Sequence, residues 1–253
     1  MSVVDKVIVF DLDETLGYFQ DFGILWNSLQ IKYSDEVNFD NKLFNSLLNL
    51  YPELLRPNII NILEMIVKNQ KQSDVCPFLL MIYTNNNGGK DWVNLIIKYF
   101  ESEVTGLQFN RIINAFKIND KIIEPTRTGH DKKYSDFLRT TKMPKKTRIC
   151  FIDDVFHPLM ENDNIVYIHI KPYTYDLGVS KYLKRLEKHT TFGKKDFIDK
   201  HTLELLKQNL GYKYTNENKF EKKDKTEQKV DIIASKQLHC FLEEFILEFG
   251  DVE

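Results

Sequence analysis

Val7-Ile8-Val9-Phe10 runs straight into Asp11-Leu12-Asp13-Glu14, and this junction constrains the chain more than any other stretch. Four consecutive apolar residues suit a strand buried inside a sheet. Three acids at its end must be neutralised or used. The pattern recurs: short apolar runs at 6–10, 78–83, 112–116, 148–152 and 165–170 read as strands, and helical spacing at 56–69, 90–100 and 133–140 reads as crossover helices. The helix over 56–69 carries Ile59, Ile62, Leu63, Ile66 and Val67 on one face, with Pro57 suited to its first turn. This alternation predicts an α/β fold, a Rossmann-like, mostly parallel sheet with helices on both faces. Right-handed crossovers then bring the loops that follow the strands to one edge, where open α/β sheets bind ligands.

Two segments depart from the alternation. Residues 17–55 form an aromatic-rich insertion with Tyr18, Phe19, Phe22, Trp26, Tyr33, Phe39 and Phe44. They are expected to give a flap and one or two short helices, a small lid after the first strand whose aromatics mostly extend the core. Beyond a core spanning 1–177, residues 178–253 are expected to form a helical C-terminal extension with a polar linker over 213–229. There Val230, Ile233, Ala234, Leu238, Phe241, Leu242, Phe245 and Phe249 form an apolar stripe that docks on the parent domain or, as the sharper alternative, on a partner.

Composition narrows the class. The 253 residues are 42% hydrophobic with a formal net charge of −2, enough to fill a core and without the overall signature of a polyanion binder. Charge is uneven, however: residues 1–65 hold four Lys/Arg against ten Asp/Glu, and residues 111–150 hold eleven against four. Cys76, Cys150 and Cys240 follow no pairing or metal spacing, and MSVVDK lacks the apolar region of a signal peptide. A reducing, cytoplasmic setting is therefore expected, with no membrane span. Abundant Lys, Asn and Ile hint at an AT-rich genome, viral or protozoan.

The chemistry lies at the strand ends. Asp11 and Asp13 follow the first strand, Thr84-Asn85 the second, and Asp153-Asp154 the fourth, while Lys132-Lys133 opens a helix between them. A parallel sheet would gather all of these at one edge. Converging carboxylates repel and need a cation, and an all-oxygen donor set selects Mg²⁺. Metal, lysine, hydroxyl and a carboxylate nucleophile together suit phosphoryl transfer.

The ordered set Asp11-Leu12-Asp13-Glu14-Thr15, Thr84-Asn85, a lysine and Asp153-Asp154 resembles the four motifs of the haloacid dehalogenase (HAD) superfamily, over residues 6–172. The resemblance implies a phosphatase with Asp11 as the nucleophile that forms an aspartyl-phosphate and Asp13 as general acid/base. It further implies Thr15 as a brace for the loop, and Thr84, Asn85 and one of Lys132 and Lys133, with Lys132 preferred, around the phosphate. Mg²⁺ would be held by Asp11, the Asp13 carbonyl, Asp153 and Asp154. Leu55-Arg56-Pro57 is similar to the small phosphatases of the RNA polymerase II C-terminal domain and their NIF-like relatives, although those usually carry Asp-Asn where this chain has Asp153-Asp154. The implied substrate is a phosphoprotein, a nucleic-acid end or a small phosphate ester. The basic stretch keeps a nucleic-acid 3′-phosphatase open, transfer to an acceptor other than water is a further variant, and a HAD-fold binding or scaffold protein is the rival reading. Glu14 is expected to be a solvent-facing bystander, and His157 a hydrogen-bonded loop histidine.

Overall fold

The computed structural model describes residues 6–72, 78–192, 204, 208–209 and 223–248. In chain order its elements are β1 (Lys6–Phe10), α1 (Gln20–Tyr33), α2 (Asn41–Leu48), α3 (Ile59–Gln72), β2 (Phe78–Tyr83), α4 (Gly89–Glu103), β3 (Arg111–Ile113), β4 (Lys117–Ile118), β5 (Lys121–Ile122), α5 (Tyr134–Thr141), β6 (Arg148–Asp153), β7 (Ile165–His169), α6 (Val179–Leu186) and a last helix, α7 (Lys225–Leu247). Five strands form a parallel sheet in the order β3-β2-β1-β6-β7. The fold is α/β and Rossmann-like.

Strand alternation sorts the core. Val7, Val9, Met81, Tyr83, Ile113, Ile149 and Phe151 share one face with Phe137 of α5 and with Met160. Ile8, Phe10, Leu80, Ile82, Cys150 and Ile152 alternate with them and are fully buried on the other face. With both faces covered, the strands can be apolar at every position, which is why 7–10 and 149–152 read as unbroken runs.

β3 ends at Ile113 rather than continuing to residue 116. Its partner β2 ends at Tyr83, and past that point the chain has no ladder to join. Instead 117–122 forms the small antiparallel hairpin β4–β5, turned by Asn119 (φ 45°) and Asp120 (φ 64°). Asn and Asp tolerate this left-handed backbone better than other non-glycine residues, so Asn-Asp was the available turn signal.

The chain divides into two compact units, built from alternating stretches of sequence rather than from a front and a back part. One holds residues 1–17, 56–173 and 229–253; the other holds 18–55 and 174–228. In the first, α7 belongs to the sheet-containing unit. Lys6, on the pleat face of Ile8 and Phe10, donates to the carbonyls of Phe245 and Ile246 at the end of that helix. Lysine is a natural cap for helical C-terminal carbonyls. The face α7 buries is Asp231, Ser235, Leu238, Leu242 and Phe245. This corrects the expected stripe: Val230, Ile233 and Phe241 are exposed, and Phe249 lies outside the described residues. The helix also begins earlier than the expected linker end at 229. Asp224 accepts from the backbone N–H groups of Thr226 and Glu227 and caps the helix from Lys225.

The second unit has an aromatic core of its own. Phe44 lies 5.3 Å from Phe22 and 5.2 Å from Trp26, ring to ring, and Tyr51 lies 4.8 Å from Tyr182. Arg185 grips Glu53 through two hydrogen bonds of 2.7 and 2.5 Å. Residues 17–55 thus hold two helices, α1 and α2, in line with the one or two expected, and pack with α6 into a compact unit. Among the described residues no helix is long and apolar enough to cross a membrane. Cys150 is buried and Cys240 exposed, both unpaired, and Cys76 lies outside the described residues.

The face assignment of α7 is testable by urea unfolding. Leu242→Ala and Phe245→Ala should each cost about 2–5 kcal/mol. Phe241→Ala should stay within about 0.5 kcal/mol. Equal losses at Phe241 and Phe245 would refute the assignment.

Candidate active site

The strand register builds the site. Phe10 pairs with Ile82 on one side and Ile152 on the other, so Asp11 is the next residue out beside Asp153. The Asp11 N–H donates to the Ile152 carbonyl at 2.8 Å and carries the ladder one residue past the end of β1. One carboxylate oxygen each from Asp11, Asp153 and Asp154 lies within 4.8 Å of the others, and all three residues are buried.

Lys132 enters this cluster. Its Nζ donates to Asp11 Oδ1 at 2.5 Å and to Asp153 Oδ2 at 2.6 Å, and the residue is 1% exposed. Burial alone would lower the Lys132 pKa, but the charges of Asp11 and Asp153 outweigh it and raise it. Lys133 takes another path: it precedes the first turn of α5, and its exposed Nζ sits 3.3 Å from Thr128 Oγ1. Of the two lysines, the geometry brings in Lys132 and leaves Lys133 out.

Asp13 is not part of the three-carboxylate cluster. Its Oδ2 accepts from Asn86 Nδ2 at 2.7 Å. Burial raises its pKa, partly opposed by the Asn86 hydrogen bond and Lys132. Asn86 also donates its backbone N–H to Thr84 Oγ1 at 3.0 Å and accepts from the Gly88 N–H. Thr84 is fully buried, and since its oxygen accepts, its hydroxyl proton is left to donate. Asn85 is exposed, and its Oδ1 accepts from Arg127.

A second set of contacts braces the loop after β1. Thr15 donates to Asp154 Oδ1 at 3.0 Å, the bracing role expected of it. Arg56 is buried; its Nε donates to the Thr15 carbonyl, and its Nη2 to the carbonyls of Glu14 and Lys171. Lys171 in turn pairs with Asp231 of α7 at 2.7 Å. Glu14 is therefore more than a bystander: its backbone takes a left-handed turn (φ 58°), and its carbonyl accepts from Arg56 and from the Tyr173 N–H. His157 Nε2 lies 3.5 Å from Asp153 Oδ2, and burial, then the Lys132 charge, holds its pKa below the usual histidine value.

Apart from Lys132 and Arg127, the basic stretch 111–150 is dispersed. Lys142, Lys145, Lys146 and Arg148 lead into the start of β6, at the opposite end of the strands. Arg111, Lys117, Arg139 and Arg148 are paired with Glu124, Asp120, Asp136 and Glu248. In the other unit, Ser46 Oγ and His189 Nε2 are 3.0 Å apart, but this is no nucleophile and base. The Thr191 N–H donates to Nδ1, so Nε2 carries the proton, and Ser46 donates to the Leu43 carbonyl.

The donor set fits a hard divalent cation. Three buried carboxylates face one ammonium, which leaves two negative charges to be compensated, and every candidate ligand atom is oxygen. The electrostatics say the same: burial, assisted by Asp153 and Asp13 and opposed by Lys132, pushes the Asp11 carboxyl up to about 8. A carboxylate ladder so short of positive charge holds protons until a cation replaces them.

Fold and site together define a Rossmann-like α/β protein with a lysine-bridged acidic centre at the carboxyl edge of its sheet. Comparison with protein families, with curated proteins and with solved structures finds no match.

Mg²⁺ added to chelator-treated protein should raise the unfolding midpoint, by the equivalent of about 2.7 kcal/mol at a hundredfold excess over Kd, and Asp153→Asn should abolish the shift. The ion binds the ionised carboxylate, so affinity should rise from about pH 6 to about pH 8, by up to about tenfold per unit, and then level off. A flat affinity profile across that range would remove Asp11 from the binding set.

Proposed function

We propose that the chain is a Mg²⁺-dependent phosphomonoester hydrolase of the HAD type, working through an aspartyl-phosphate on Asp11. One observation carries the reading: Asp11, Lys132 and Asp153, from three distant stretches of sequence, meet in one buried ion-paired centre with Asp154 beside it. Such convergence at the ligand-binding edge of a parallel sheet is what phosphoryl transfer by a carboxylate requires.

Asp11, Asp153 and Asp154 would hold the metal, with the Asp13 carbonyl, and the ion supplies charge neutralisation for the phosphoryl oxygens. The side chains do the rest. An oxygen of Asp11 attacks phosphorus and the ester bond breaks, leaving an acyl phosphate. Asp13, its pKa raised by burial, delivers its proton to the departing alkoxide. The same carboxylate then takes a proton from the water that attacks the acyl phosphate, releasing inorganic phosphate and regenerating Asp11. Asn86 aims Asp13 for both steps through its 2.7 Å hydrogen bond. Lys132 already touches Asp11 and balances the charge that gathers there. The Thr84 hydroxyl is available to a phosphoryl oxygen.

The substrate class is a phosphomonoester. A preference for macromolecules rests on a small lid alone, and residues 18–55 join 174–228 in a larger compact unit. The dispersed basic residues lend little to a nucleic-acid end. The rival reading, a binding module acting through α7, has the exposed Val230, Ile233 and Phe241 in its favour.

Hydrolysis of an aryl phosphate separates them. The wild type should release phosphate with Mg²⁺ and not with chelator, and Asp11→Asn should lose about 10³-fold or more. Asp13→Asn should lose about 10²–10⁴-fold and accumulate phosphoprotein that hydroxylamine discharges. No turnover across a panel of phosphate esters and divalent metals would reject the hydrolase.

A further inference from the structure

We propose that Arg127 is a positioning residue: its guanidinium clamps the loop after β2 to the segment that delivers Lys132, and so holds the Lys132 ammonium at Asp11. Arg127 is 2% exposed. Its Nη1 donates to the carbonyls of Thr84 (3.2 Å) and Asn114 (2.8 Å). Its Nη2 donates to Asn85 Oδ1 (2.8 Å), to the His130 carbonyl (2.8 Å) and, at 3.4 Å, to the Asp131 carbonyl. One planar group thus joins three stretches: 84–85 past the end of β2, 114 past the end of β3, and 130–131 immediately before Lys132.

All of these acceptors are neutral, and among the described residues Arg127 makes no ion pair. Charge neutralisation therefore does not explain a buried arginine here; the shape of the fork does. The same guanidinium lies 4.8 Å over the ring of Tyr83, whose hydroxyl accepts from the Lys133 N–H at 3.3 Å. The backbone on both sides of Lys132 is therefore tied, before it by Arg127 and after it by Tyr83. Among the described residues the Lys132 side chain itself has only Asp11 and Asp153 as hydrogen-bond partners, which would let a misplaced backbone carry the ammonium away. Lysine at 127 would keep the charge but has a single nitrogen, which cannot span three segments.

The catalytic consequence rests on the phosphatase reading, but the structural one does not, and the test keeps them apart. Amine acetylation followed by mass spectrometry reads the exposure of each lysine. Lys132 should label at least about tenfold faster in Arg127→Lys and Arg127→Ala than in the wild type, as local opening requires. Lys6, equally buried at the other end of β1, should stay protected. Should Arg127→Ala fail to fold, Arg127→Lys and Asn85→Ala, which removes one acceptor, carry the same measurement. Unchanged Lys132 labelling in folded variants overturns the proposal, as does Lys6 labelling that rises in parallel, since that is general loosening. With an aryl phosphate, Arg127→Lys should lose about 10²-fold in kcat, the scale of a misplacement of about 1 Å. Its Mg²⁺ affinity should not fall, because Arg127 touches none of Asp11, Asp153 and Asp154 and a displaced Lys132 ammonium leaves those carboxylates with less positive charge; a loss of Mg²⁺ affinity that matches the loss in kcat overturns the proposal. A wild type that hydrolyses no phosphate ester ends the phosphatase reading, and the ratio of Lys132 to Lys6 labelling still decides the role of Arg127.

Discussion

The buried bridge from Lys132 to Asp11 and Asp153 is the interaction on which the rest of the structure turns. Taking charges out of water costs several kcal/mol per ion, and only close geometry and further hydrogen bonds repay it. Here one ammonium, 2.5 and 2.6 Å from two carboxylates, sits at the junction of three chain segments with a third carboxylate nearby. Removing the lysine would strand two acids in the interior. Removing either acid would leave the lysine underpaired. Apolar residues of the same volume often serve stability as well or better, so the bridge is not explained by stability alone.

That bridge explains why the surrounding loops are so heavily tied. The β1 loop is held by Arg56 through the carbonyls of Glu14 and Thr15, and Thr15 holds Asp154. The β2 loop is held by Arg127 and by Asn86, which also holds Asp13. Both arginines donate to backbone carbonyls, and burial pulls both their pKa values down, that of Arg56 to about 10. A guanidinium remains charged even so, and its flat fork fixes several carbonyls at once where a lysine would fix fewer. Through Lys171 the Arg56 network continues to Asp231 on α7, so the last helix is joined to the loop after β1 by a continuous line of polar contacts.

The sheet and the acids were legible in the sequence because both depend on local pattern. A strand covered on both faces shows as an unbroken apolar run, and parallel strands point their ends one way, so Asp11, Thr84 and Asp153 could be grouped before any coordinates. Lys132 was legible only as half of a pair with Lys133: adjacent residues differ in direction, and direction comes from the Tyr83 hydroxyl and the start of α5. Arg127 was not legible at all. It is one of eleven basic residues in 111–150, and nothing in composition separates it from those that face water. The same limit applies to α7. Its spacing announced a helix, but the choice of Asp231 and Ser235 for the inner face over Val230 and Ile233 follows from tertiary partners, Lys171 for the aspartate and the Phe245–Lys6 contact at the far end.

The insertion shows how far a pattern can be misread when its partner lies elsewhere in sequence. Weighed alone, residues 17–55 read as a small lid whose aromatics mostly extend the core. Tyr51 packs on Tyr182, whose carbonyl accepts from the Tyr51 hydroxyl, and Arg185 reaches back to the Leu50 carbonyl and to Glu53. A short helical segment cannot cover so much aromatic surface by itself. The residues that complete its core arrive more than a hundred positions later, after the sheet is finished. A chain that leaves the sheet immediately after Asp11 and Asp13, returns to build the remaining strands, and then leaves again thus assembles its second compact unit from two stretches that flank most of the sheet in sequence.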